Sequence, residues 1–146
     1  MKYYKNILTI LLLVITTSCY SQHLVKTVSD APKIKANEKT FIGQPLKDLL
    51  KEIKPQIKMA YGDPSTNINS QVGYFRFTFV DQKQKNNLKL KGKTPVTIIV
   101  YVKEYFDWDF KTRPKGNEYT WTKEDEKKYG NLTVVGFRVY GEPVEN

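Results

Sequence analysis

Apolar positions along the chain change period several times, and each change marks an element. Leu46, Leu49, Leu50 and Ile53 recur at i, i+3, i+4 and i+7, with Lys47, Asp48, Lys51, Glu52 and Lys54 between them. That spacing places one apolar stripe along a helix. Pro45 suits the first helical position, where its missing N–H is no loss, and Pro55 ends the run after about two to three turns. The period then drops to two. Ile57, Met59 and Tyr61 alternate with Lys58 and Ala60, and Gly62-Asp63-Pro64-Ser65 reads as a turn.

A stronger strand is predicted over residues 72–80, with Phe75, Phe77 and Phe79 on one face. The longest is predicted over 95–110. Val96, Ile98, Val100, Val102, Phe106, Trp108 and Phe110 share its inner parity, and Glu104 interrupts that face, which predicts a bulge or bend. A last strand over 132–141 turns Thr133, Val135, Phe137 and Val139 inward. Ahead of it, Thr122 and Asp125 form a capping box for a short helix ending at Gly130.

Strands that follow one another without crossover helices pair mainly antiparallel. The expected fold is α+β and two-layered, with one short amphipathic helix packed on a mainly antiparallel sheet of four to five strands. Residues 22–40 are polar and show no sustained period. They read as a tether, with room for a short edge strand at 23–28, so a single domain is expected over 41–146.

The N-terminus has a different logic. Lys2 and Lys5 precede an apolar run at 7–15 that only Thr9 interrupts, and small and polar residues follow. This is the layout of a secretory signal peptide, and the run is shorter than the roughly 20 residues a membrane span needs. Two processing routes fit. Cleavage after Ser21 would use Cys19 and Ser21 as the small residues before the cut. Alternatively, Thr16-Thr17-Ser18-Cys19 resembles a bacterial lipoprotein box with Thr16 in place of the usual Leu, which implies lipidation of Cys19 and firm anchoring. Export to a periplasmic or secreted location is expected either way, and a membrane partner only through Cys19.

Composition narrows the chemistry. The 146 residues carry 24 Lys and Arg against 15 Asp and Glu, a net charge of +9. With one Cys and one His, a disulfide framework, a Cys/His metal site and a His-assisted nucleophile are poorly supplied. No Gly-rich phosphate loop, metal motif or nucleophile elbow occurs, and neither a metal nor a cofactor is expected. His23, on the presumed tether, carries no assigned role. Asp107 and Asp109 flank Trp108, an arrangement glycosidases use, yet period two makes them the wet side of a strand whose dry side is Phe106, Trp108 and Phe110. Asp63 is a further acid beside a turn. No catalytic residue is assigned.

Three surfaces are candidates for binding. The first is the outer face of the sheet. If the phenylalanines of 72–80 point in, Tyr74, Arg76 and Thr78 point out; by the same parity so do Ile99, Tyr101, Lys103 and Tyr105, and Arg138 and Tyr140. Tyr and Arg dominate binding hot spots because they offer rigid area with a polar end. The second is a protruding hairpin over 82–93, where Lys83, Lys85, Lys89, Lys91 and Lys93 stand without an acid and suit an anionic lipid or surface. The third is 101–121, whose seven aromatics suit sugar stacking. Basic charge that is almost all Lys argues against a nucleic-acid reader. The expected function is that of an exported, non-enzymatic interaction module for a protein or envelope component. A carbohydrate-binding or carbohydrate-active protein and an anionic-lipid or nucleic-acid binder are the alternatives.

Overall fold

A computed structural model describes residues 23–64 and 72–143. The signal-peptide reading and Cys19 fall outside the described residues. Short helices α1 (Pro32–Ala36), α2 (Glu38–Phe41) and α3 (Leu46–Lys51) lead into strands β1 (Met59–Asp63) and β2 (Gly73–Thr78). Helix α4 (Gln82–Leu90) precedes β3 (Thr97–Val102), and α5 (Lys123–Tyr129) precedes β4 (Val134–Tyr140). The strands form one antiparallel sheet in the order β1-β2-β3-β4. The α+β class and the antiparallel sheet are as the periodicity implies.

Register decides which side chains share a face, because directly opposed residues project to the same side. The rows Ala60–Phe77–Ile98–Val139 and Gly62–Phe75–Val100–Phe137 run across all four strands on the inner face. They pack with Leu46, Leu49, Leu50 and Ile53 of the predicted amphipathic helix and its C-terminal turn. The capping box is present: Thr122 Oγ1 accepts from Asp125 N, and the Asp125 carboxylate accepts from Thr122 N at 2.9 Å.

Several expectations are corrected. Residues 22–40 are no tether over their described part, since Val25, Ala31 and Ile34 are all 0% exposed. Val25 pairs with the chain after α3, its N–H donating to Glu52 O and its carbonyl accepting from Lys54 N, both at 2.9 Å. Val28, Ala31 and Ile34 stand at three-residue steps, which suit the tight turns of a 3-10 helix and a short α-helix rather than a longer amphipathic period.

In β1 the parity is inverted. Ala60 and Gly62 face the core and Tyr61 faces outward, opposite Arg76. The inner side needs small residues there: a Cβ on Gly62 would come within 2.7 Å of the Trp108 ring, and one on Gly73 within 2.6 Å of Phe106. The strand expected over 95–110 ends at Val102. Residues 103–109 instead cross the inner face, so that Phe106 stacks on Phe75 (centroids 4.3 Å apart) and Trp108 meets it edge-on (5.7 Å). The predicted irregularity is real but sits between Tyr101 and Val102, where the register with β4 shifts. It reverses the parity of early β4: Val134 is buried and Val135 exposed.

The Lys-rich stretch is a helix, not a hairpin. Asp81 caps α4 by accepting from Gln84 N at 2.8 Å, Gln84 Oε1 accepts from Asp81 N in return, and Leu88 is its one buried residue. Gln82 and Lys85 share a cleft with Arg76 and Thr78, so α4 lies beside the outer face. The outer face is therefore not left open along its whole length; Thr78, Thr97 and Ile99 are buried there.

Phe77→Ala should cost about 3–5 kcal/mol in denaturant unfolding, as expected for a fully buried aromatic. Gly62→Ala should cost about 1–3 kcal/mol by overpacking against Trp108. Asp107→Asn, on an exposed side chain, should stay within about 0.5 kcal/mol of the parent.

Candidate functional site

The outer face carries the row Tyr61–Arg76–Ile99–Arg138, and beside it Asp63–Tyr74–Tyr101–Gly136. Arg76 is the centre of it. Its guanidinium carbon lies 6.0 Å from the ring centroid of Tyr61 and 5.9 Å from that of Tyr74. Its Nε is buried without a hydrogen-bond partner, and no carboxylate among the described residues pairs with it. Tyr74 is raised above the ordinary phenol range, first by burial and then by donating to the Asp63 carboxylate, with Arg76 pulling the other way. Tyr74 meets Tyr101 edge-on at 6.0 Å.

Tyr119 extends this strip from outside the sheet. Tyr61 and Tyr119 are 6.2 Å apart, and Tyr119 stacks on Phe110 at 6.2 Å. Backbone pairing seats it at the open edge of β1: Ala60 N donates to Tyr119 O at 2.8 Å and Trp121 N to Lys58 O at 3.3 Å. Arg113 fixes that segment. It donates to both oxygens of Asp125 (2.8 and 2.7 Å) and to Thr120 O (2.6 Å), and it lies over the Trp108 ring at 4.4 Å.

Between these groups lies a cleft of about 330 Å³ lined by Tyr61, Arg76, Thr78, Gln82, Lys85 and Tyr119, with Met59 and Ala60 at its base. Among the described residues, its lining has two cations and no acid. The Thr78 hydroxyl donates to Val80 O. A second cleft of about 390 Å³ shares Met59, Gln82 and Tyr119 with the first and continues along the N-terminal end of α4.

Not every predicted site residue gathers here. Tyr74, Arg76 and Tyr101 do. Arg138 lies in the same row as Arg76 but beyond Ile99, and Tyr140 pairs with Thr97 at the α4 end of the sheet. Tyr105 is 72% exposed and lies past the end of β3, where strand parity no longer applies. Of the lysines, Lys85 lines the first cleft and Lys83 the second, while Lys89, Lys91 and Lys93 are exposed elsewhere on and after α4.

The aromatics of 101–121 divide. Phe106 and Trp108 are core, Trp121 packs against it, and Tyr101, Phe110 and Tyr119 stay on the surface. Glu104 is turned away from the core, and its carboxylate accepts from Thr133 N and Oγ1. Burial raises its pKa, those bonds outweigh it, and the net direction is down. Asp109 caps a 3-10 turn at Phe110–Thr112. Tyr61 and Tyr119 are the residues missed. The signal for Tyr61 was the Ala60/Gly62 alternation, since two small residues at one parity fit beneath large aromatics.

Among the described residues, no cluster of His, Cys, Asp and Glu is arranged to hold a metal ion, and no helix is long and apolar enough to cross a membrane. The chain matches no protein-family model, and no curated protein or solved structure is significantly similar to it.

Burial alone would raise the Asp125 carboxyl, but the bonds from Arg113 and Thr122 dominate and hold it below the ordinary carboxylate range. Its stabilising contribution is therefore present above the unfolded-state value and is lost as pH falls through the lower folded-state value. Arg113→Ala should cost about 2–3 kcal/mol near pH 7, less than a fully buried pair because the arginine keeps some solvent contact. In urea unfolding at a series of pH values, the gap between the parent and Asp125→Asn should narrow steadily on acidification.

Proposed function

We propose that this chain is an exported, non-enzymatic binding module of the bacterial envelope or secreted fraction, and that it holds its partner in the cleft around Arg76. The observation that carries the reading is the state of Arg76 itself. A guanidinium can donate five hydrogen bonds; here two tyrosine rings lie beside it, and among the described residues it makes no ion pair. A surface arginine with a structural task normally finds an acid, as Arg113 does with Asp125. Arg76 is half-buried and has no ion-pair partner among the described residues, which suits a residue that pairs with a ligand.

The donor set favours holding over reacting. Arg76, Lys85, Gln82 and the tyrosine hydroxyls offer protons for hydrogen bonding, and the lining supplies no carboxylate beside them to act as a base. The export half rests on the charged, apolar and small-residue order of residues 1–22.

Two measurements test this. Immobilised protein should retain a component of envelope extract that Arg76→Ala and Tyr61→Ala lose while Arg138→Ala keeps it. Equal retention by all three, each still cooperatively folded, overturns the cleft. Intact-mass analysis of the native protein should show loss of residues 1–21, or a lipidated Cys19 at the new N-terminus. A mass that includes Met1 overturns export with cleavage.

A further inference from the structure

We infer that the ligand of this cleft is an acidic oligosaccharide: a glycan chain with carboxylates on some of its sugars. The inference rests on the Arg76 cleft being the binding site and adds the chemical class of what it binds.

Charge comes first. Arg76 and Lys85 approach the same cleft from the sheet and from α4, and neither has an ion-pair partner among the described residues. With no acid among the described lining residues, the cleft is a local concentration of positive charge, and its occupant should carry an anion. Arg76 presents a planar fork that matches a carboxylate, and Lys85 adds a second, mobile donor.

The walls then restrict the body that carries the anion. Tyr61 and Tyr119 flank the cleft, and the strip continues through Tyr74 and Tyr101 in one direction and Phe110 in the other. Rings of this kind pack against the C–H faces of a pyranose while their hydroxyls and Gln82 meet its polar edge. The volume of about 330 Å³ is at the low end for a small-ligand site. The adjoining cleft of about 390 Å³ lets a chain continue past Tyr119.

Other anionic polymers fit less well. The second cleft sets Asp81 and Glu118 beside Lys58 and Lys83. A nucleic acid, with a phosphate at every step, would place charge against those acids, whereas a glycan charged on only some sugars need not. An extended acidic peptide commonly adds to a free sheet edge, but residues 119–121 already pair with the β1 edge beside the cleft.

Isothermal titration of the full chain with a hyaluronan tetrasaccharide, in which glucuronic acid alternates with a neutral N-acetylglucosamine, tests the inference. The expected result is saturable binding that weakens with added salt, as screening predicts. Arg76→Ala should weaken it about tenfold or more, and Lys85→Gln, at a half-buried helical position, about two- to fivefold. The carboxyl-reduced tetrasaccharide should bind at least as poorly as the Arg76 variant does the acid. No binding of the uronate, or binding indifferent to both substitutions, overturns the inference. So does hexaglutamate binding as tightly through Arg76, which would point to an acidic peptide. If Arg76→Ala still loses the envelope component while the uronate fails to bind, the glycan identity fails and the cleft stands.

Discussion

The contact on which most of the site depends is the Arg113–Asp125 pair. Asp125 is already committed to capping α5 through Thr122, so its position is fixed by the helix. Arg113 takes both of its oxygens, lies flat over Trp108 and donates to Thr120 O. One side chain thereby joins the aromatic core, a helix N-terminus and an irregular segment of about ten residues that has few apolar anchors of its own. Its consequence is geometric. With Thr120 held, Tyr119 and Trp121 can pair with β1, and that pairing closes half of a sheet edge and places the Tyr119 ring beside Tyr61. The site is thus partly the product of a bidentate ion pair whose own atoms do not line it.

A second constraint works through the thickness of the sheet. The inner face accommodates Phe106 and Trp108 only because β1 and β2 supply Gly62 and Gly73 beneath them. Glycine weakens a strand by leaving nothing to pack, and here the incoming rings fill that space. Fixing the inner parity on small residues forces Tyr61 outward, opposite Arg76. The same choice therefore builds the core and furnishes the cleft. On the outer side α4 is held by less: a capping box, a Lys58–Gln84 hydrogen bond of 3.0 Å and the single buried Leu88, while Leu90 is 87% exposed. The wall that carries Lys85 is accordingly the less firmly attached of the two.

Legibility in the sequence followed the strength of the local signal. Alternating phenylalanines set the face of β2, the valines and isoleucines set β3, and Thr122 with Asp125 set α5, because in each case one period or one cap dominates its window. Where it failed, a tertiary demand outweighed the local one. Phe106 and Trp108 keep the parity of β3 and yet leave the strand, since burying them against Phe75 is worth more than extending a ladder. Val135 is exposed because one shifted pairing at Tyr101 and Val102 exchanges faces for the rest of the strand's start. Residues 82–90 look like a solvated loop because a helix with one buried leucine has almost no apolar period. The Asp81-x-x-Gln84 capping box was its only strong mark. Of the binding surface, Tyr74, Arg76 and Tyr101 could be read from parity, but Tyr119 could not, since it arrives through the Arg113 clamp rather than through any strand.

Arg76 and Arg113 show how context assigns a task to the same side chain. Arg113 stacks on an aromatic ring and also finds a carboxylate, so its charge is compensated and its net effect is structural. Arg76 has the aromatic contacts without an ion-pair partner among the described residues. The Nε of each is buried without a hydrogen-bond partner, so the difference between them lies in the terminal nitrogens, which Asp125 and Thr120 occupy in Arg113. An anion accepting from the terminal nitrogens of Arg76 would bind without moving the strands, since β2 is already fixed from its inner side by Phe75 and Phe77. If Arg76 is the ligand-binding residue proposed above, the preorganised core is what holds it in place for that role.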